Sequence, residues 1–196
     1  MFEAVVIGVS AGGMNAMKTI LSMLPATFHL PIVIVQHIAP QSDSYFSEYL
    51  ERFSNIKVKE AEEKEKLRAG TAYIAPSDYH LLIEPDQSFS LSADDKVNYS
   101  RPSIDLLFES AADVFGNKLV GIVLTGANSD GSYGLKTIKD RGGLAIVQDP
   151  KTAESPFMPQ AAINATSVDY IVNLGGIAPL LLKLCKGENY GTGTHG

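Results

Sequence analysis

Apolar residues fall along this chain in two kinds of run. Short, nearly unbroken β-branched segments lie at 4–9, 32–36, 118–124, 143–148 and 170–172, and each reads as a strand buried on both faces. Between them apolar positions recur at helical spacing: Met14, Met17, Leu21 and Leu24; Phe46, Tyr49, Leu50 and Phe53; Ile104, Leu107, Phe108 and Ala111. Ser103, just after Pro102, is placed to cap a helix over 104–115, because its hydroxyl can accept one of the unpaired amides of the first turn. Strands that alternate with helices specify a parallel α/β sheet. The pattern therefore predicts a three-layer, doubly wound, mainly parallel sheet.

The middle of the chain has a different rhythm. Segments 56–60, 71–75, 80–84 and 88–92 read as short strands joined by turn residues such as Glu84-Pro85-Asp86-Gln87, which predicts an antiparallel hairpin appended to the main sheet. The charged stretch 60–68 reads as a solvated connection. A length of 196 residues suits one domain, expected over 1–186. Gly187, Gly191, Gly193 and Gly196 predict a frayed, flexible tail over 187–196.

Composition narrows the class. The net charge is −6 and no Lys/Arg-rich tract is present, which argues against a nucleic-acid partner, whose phosphates need cationic neutralisation. No apolar run reaches the roughly 18 residues of a membrane span. The N-terminus enters a strand directly, without a basic region or a small-residue cleavage site, so a cytoplasmic protein is expected. The single Cys185 cannot form an internal disulfide. It lies in the apolar run 180–185 and reads as a buried structural thiol.

Three polar residues sit at the ends of predicted parallel strands: Ser10 after 4–9, His37 after 32–36, and Asp130 in the loop after 118–124. Ligands of an open parallel sheet gather at the carboxyl ends of its strands, so these residues can converge. Serine, imidazole and carboxylate are the set that nucleophilic acyl transfer requires. Each also has a plainer reading: Ser10 as a helix cap or anion cradle, His37 as a structural histidine, Asp130 as the cap of a helix over 132–140.

The Gly8-Val9-Ser10-Ala11-Gly12-Gly13 turn approaches the dinucleotide fingerprint, but Ser10 stands where the second glycine would admit a pyrophosphate. The acidic residue expected about 20 positions later is also missing, since the next strand ends in Gln36 and His37. Gly8-x-Ser10-x-Gly12 fits a nucleophile turn better, yet His37 precedes Asp130, which is not the chain order of α/β-hydrolases. Another α/β scaffold is indicated.

Several ordered motifs resemble the catalytic domain of the chemotaxis receptor protein-glutamate methylesterases, the CheB family. They are the Gly8–Gly13 turn, Gln36-His37, Tyr73-Ile74-Ala75-Pro76 with His80-Leu81, and Arg101-Pro102-Ser103-Ile104-Asp105. Leu124-Thr125-Gly126 through Asp130-Gly131, Gln148-Asp149 and Met158-Pro159-Gln160-Ala161-Ala162 follow. The resemblance covers roughly 4–182. It implies Ser10 as nucleophile, His37 as general base and Asp130 as its orienting carboxylate, with no cofactor or metal. It further implies hydrolysis of glutamyl methyl esters, and deamidation of glutamines, on the cytoplasmic helical region of methyl-accepting chemoreceptors. Ala11 and Ala127 match oxyanion positions, and Arg101 and Met158 match positions near the substrate. An internal ion pair is the other reading of Arg101. His80 and Asp149 are expected to be structural.

Two departures stand out. The family usually reads Thr-Gly-Met-Gly-x-Asp-Gly where this chain has Thr125-Gly126-Ala127-Asn128-Ser129-Asp130-Gly131. Ala127 keeps the main-chain donor, and Asn128 suits a left-handed backbone better than most residues. Family members also carry an N-terminal phosphorylatable receiver domain, whereas this chain begins at the catalytic strand. A separate regulatory protein or constitutive activity is the expectation. The alternative function is a catalytically weak module that binds a receptor or a signalling partner.

Overall fold

The computed structural model describes residues 1–37 and 45–187; the expected tail lies, beyond Gly187, outside that range. In chain order the elements are β1 (Ala4–Val9), α1 (Gly13–Met23), β2 (Ile32–Gln36), α2 (Tyr45–Glu51), β3 (Lys57–Glu60), β4 (Thr71–Ile74), β5 (His80–Ile83) and β6 (Phe89–Ser92). Then follow α3 (Ile104–Phe115), β7 (Leu119–Val123), α4 (Ser132–Asp140), β8 (Leu144–Gln148), α5 (Phe157–Ala165), β9 (Tyr170–Val172) and α6 (Leu174–Cys185).

Seven strands form one parallel sheet in the order β3-β4-β2-β1-β7-β8-β9. β5 and β6 pair antiparallel as a separate hairpin. The doubly wound architecture is the one the sequence predicts, and its cause is visible in β1. Val5, Ile7 and Val9 enter one core with Met17 and Ile20 of α1 and Leu181 of α6, while Ala4 and Val6 enter the other with Ile104 and Phe108 of α3. A strand covered on both faces has no polar side, so its sequence is continuously apolar.

The middle region divides differently from expectation. Segments 56–60 and 71–75 do not fold as hairpin strands; they extend the parallel sheet as β3 and β4. Only β5 and β6 make the hairpin. The intervening 60–68 stretch is also more than a solvated connection. Lys64 and Leu67 donate amides to Phe89 and Gln87, Phe89 donates to Glu65, and Lys59 is ion-paired to Glu62 and Glu65. Its backbone closes an edge that would otherwise stand unpaired.

The order also explains where a site must lie. From β1 the chain winds outward through β2, then returns to the other flank of β1 as β7. The carboxyl ends of β2, β1 and β7 therefore border the switch point, where this architecture opens a crevice.

Candidate active site

Main-chain bonds place Ser10. Its amide donates to Thr125 O at 2.9 Å, and its carbonyl accepts from the Gly13 amide at 2.9 Å. The Gln36 side chain donates Nε2 to Ser10 O at 2.9 Å and to His37 O at 3.0 Å, which ties the ends of β1 and β2 together. That orientation turns Gln36 Oε1 toward Gly13, so close that a Cβ there would lie 1.7 Å away. Gly12 takes a left-handed φ of 82° to start α1, a conformation costly for residues bearing a Cβ. Thr125 Oγ1 donates to Ala11 O at 2.7 Å and clamps the far side of the turn.

His37 continues the same ladder, its amide donating to Val9 O at 3.1 Å. Its Nε2 meets Asp130 Oδ2 at 2.8 Å. Asp130 is fully buried and its carboxylate is surrounded by donors. Oδ2 also accepts the Ile104 amide at 2.7 Å, while Oδ1 accepts Ser103 Oγ, the Asp105 amide and the Gly131 amide, each at 3.1 Å. Burial pushes the carboxyl upward, but the His37 bond and the Ile104 and Asp105 amides outweigh it and hold Asp130 below the usual carboxylate range. Asp130 thus stays ionised and fixes a proton on His37 Nε2.

The capping reading of Asp130 is corrected in its target. The cap of α4 is Gly131, without a side-chain bond. The Asp130 carboxylate instead caps α3, helped by Ser103, whose Oγ accepts from Leu106 N as the sequence predicts.

Ser10 and His37 line one cavity of about 550 Å³ with Ala11, Gln36, Phe46 and Glu154. The His37–Asp130 half of the relay is closed. The Ser10–His37 half is open: among the described residues, Ser10 Oγ makes no hydrogen bond. Unliganded catalytic pairs are often looser than the reacting complex. Here the second imidazole nitrogen has another partner, Asn128 Nδ2, 3.2 Å from His37 Nδ1.

The remaining predicted residues separate. Ala11 and Ala127 are both exposed, in the turns that follow β1 and β7. Ala11 lines the cavity and Ala127 is not among its lining residues, and among the described residues neither amide donates to a protein acceptor. Arg101 is corrected to its internal reading, with Nε and Nη2 on Asp78 Oδ1 at 3.1 and 2.8 Å and Nη1 on the carbonyls of Ala93 and Asp94. Met158 does not line the cavity; it is fully buried under Gly126, whose carbonyl accepts its amide at 2.9 Å. It supports the loop that carries Ala127. His80 is structural, bridging Asp95 O and the Ser103 amide, and Asp149 caps the turn at Lys151. Asn128 does not use the left-handed backbone considered for it, being absent from the residues with positive φ. An anion cradle at α1 is disfavoured, because Glu154 packs against Gly12 and brings a carboxylate to that helix end.

Sequence reasoning missed Gln36 and Thr125 as positioning groups, Glu154 at the cavity, and the Asn128 contact. The signal for Gln36 was available: a polar residue ending an apolar buried strand needs a partner. The other three depend on long-range geometry.

Known proteins resemble this chain over most of its length. A Leptospira interrogans relative, whose name ascribes to it protein-glutamate methylesterase and protein-glutamine glutaminase activity, is 61% identical over 93% of this chain and 95% of its own length. A Carboxydothermus hydrogenoformans protein-glutamate methylesterase/protein-glutamine glutaminase is 43% identical over 90% of this chain and 53% of its length. The crystal structure of the Thermotoga maritima CheB methylesterase catalytic domain superposes with a TM-score of 0.91 at 35% identity, covering 94% of this chain and 99% of that one. With residues 5–181 also matching the family's own sequence profile, the chain belongs to the CheB methylesterase family.

Proposed function

We propose that this chain hydrolyses methyl esters of glutamyl side chains on the cytoplasmic helical region of chemoreceptors, and deamidates glutamines there, with Ser10, His37 and Asp130 as its catalytic groups. The observation that carries the reading is one imidazole held at Nε2 by a buried carboxylate, 2.8 Å away, and lining the same cavity as a strand-end serine.

In the mechanism, Ser10 Oγ attacks the side-chain carbonyl while its proton passes to His37 Nδ1, the nitrogen not engaged by Asp130. Asp130 fixes the tautomer and stabilises the imidazolium. The tetrahedral oxyanion is stabilised by the amides of Ala11 and Ala127, a pair of donors worth about 10²–10³ in rate each when well aimed. Collapse expels methanol from an ester or ammonia from an amide, with His37 returning the proton. Water, activated by the same imidazole, then releases glutamate and restores Ser10.

Glu154 gives the cavity a preference by charge. Methyl ester and amide side chains are neutral and enter at no electrostatic cost. The product carboxylate is repelled across the cavity and leaves. Incubating the protein with a receptor cytoplasmic fragment carrying radiolabelled glutamyl methyl esters is expected to release labelled methanol. Binding of the fragment without release would establish the binding-module alternative instead.

A further inference from the structure

Asn128 lies within hydrogen-bond reach of the base. Its Oδ1 accepts the Asp130 amide at 3.1 Å, which fixes the direction of the side-chain amide and leaves Nδ2 facing His37 Nδ1 at 3.2 Å. Because Nδ2 can only donate, Nδ1 must hold a lone pair and Nε2 the proton given to Asp130. Two neighbours thus select one tautomer, and one of them occupies the lone pair that Ser10 requires. Among the described residues, the other ionisable groups at the imidazole are Asp130 and, across the cavity, Glu154.

The geometry points to Asn128 as a latch on the general base: its side-chain amide occupies His37 Nδ1 in the resting enzyme and must release it before Ser10 can be activated. The inference rests on the assignment of Ser10 as nucleophile and His37 as base. When the Oγ–H bond of Ser10 breaks and the proton moves to Nδ1, the new N–H faces the N–H of Asn128, donor against donor. The Asn128 bond exists in the ground state and is lost on the way to the transition state, and an interaction of that kind retards the chemical step. It also accounts for the open Ser10–His37 contact.

The test uses a fluorophosphonate probe, which forms an Oγ–P bond at an activated serine, expels fluoride, and needs the same proton transfer. The ¹⁵N resonances of His37 are read alongside. Asn128→Ala is expected to be labelled about three- to tenfold faster than wild type, the effect of removing one neutral hydrogen bond. Asn128→Asp keeps the size and the acceptor for the Asp130 amide but sets a carboxylate oxygen against Nδ1. The imidazole then takes up a proton from solvent and is held as an imidazolium between two carboxylates, both nitrogens become pyrrole-type, and labelling falls more than about tenfold, within the range general-base catalysis supplies. Labelling of Asn128→Ala at or below the wild-type rate in a folded protein overturns the latch. So does a pyridine-type Nδ1 that persists in Asn128→Asp, which decides the matter even where the alanine variant does not fold. Undiminished labelling of Ser10→Ala would instead defeat the nucleophile assignment, a failure read separately from the His37 signals.

Discussion

Asp130 and Asp105 cap each other's helices. Asp130, just ahead of α4, accepts the Ile104 and Asp105 amides that open α3; Asp105, in the first turn of α3, accepts the Gly131 and Gly134 amides that open α4, at 2.9 and 2.7 Å. Both carboxylates are buried at the positive ends of helices. Asn98 Nδ2 bridges them, 2.9 Å from Asp105 Oδ2 and 3.4 Å from Asp130 Oδ1. The two groups nonetheless titrate apart. Burial raises Asp105 to about 6, against the pull of the Gly134 amide and with the push of the Asp130 charge. Asp130 stays low because it also has His37. Paired carboxylates whose environments separate them in this way divide their roles: Asp130 serves the imidazole and Asp105 braces its frame.

The orienting role of Asp130 is tested by Asp130→Asn. The amide can accept through one atom only, so its NH₂ takes the place either of Oδ2, against both His37 Nε2–H and the Ile104 amide, or of Oδ1, against the Asp105 and Gly131 amides. In both cases the charge that fixes the base tautomer and stabilises the imidazolium is lost. We expect kcat to fall by about 10³–10⁴ with KM nearly unchanged, measured by methanol release. Thermal unfolding should also show a loss of about 1–3 kcal/mol from disturbed caps. The wild-type contribution is present above the ordinary carboxylate range and is lost only as pH falls through the lowered Asp130 value.

Asp105 carries the opposite sign. Its folded value of about 6 lies above the ordinary 3.8, so its stabilising contribution is complete below the ordinary value and is lost as pH rises through about 6. Asp105→Asn removes that dependence. Urea denaturation of both proteins should show the variant gaining about 2–3 kcal/mol relative to wild type between about pH 4 and pH 7. A difference that stays constant over that interval would contradict the assignment.

Gly13 is needed because Gln36 Oε1 occupies the space of a Cβ. Gly13→Ala is expected to cost about 1–3 kcal/mol by overpacking and to lower kcat, because the displaced Gln36 no longer ties Ser10 to His37. Gly13→Ala/Gln36→Ala restores the space, so the double variant should be more stable than the sum of the single effects, a coupling that a double-mutant cycle measures.

β1, β2, β7 and β8 are legible to within a residue or two because burial on both faces writes itself into continuous apolar runs. β9 is legible as an apolar run too, but the expected burial of both its faces is corrected, since it is an edge strand with Ile171 exposed. Ser10, His37 and Asp130 were legible as a set because each follows such a run. β3 and β4 were misread as hairpin strands: Lys57, Lys59 and Glu60 interrupt the apolar pattern at an edge of the sheet, where one side of the strand faces water. Capping is sought within three residues of a helix start, which finds Ser103, yet the Ile104 and Asp105 amides of α3 are capped by Asp130, 26 positions after Ile104. Arg101 spends its guanidinium on Asp78 and on two carbonyls, partners that no spacing rule supplies.

The central claim is that Ser10 is the nucleophile whose proton His37 takes. The most direct measurement compares methanol release from a methylated receptor fragment by wild type and by Ser10→Ala under single-turnover conditions, with the reaction quenched and the Ser10 peptide examined for a glutamyl ester. The account predicts an ester on Ser10 in the wild type and a fall in release of at least about 10³-fold in the variant. Equal release by the two proteins, with no ester on Ser10, would contradict it.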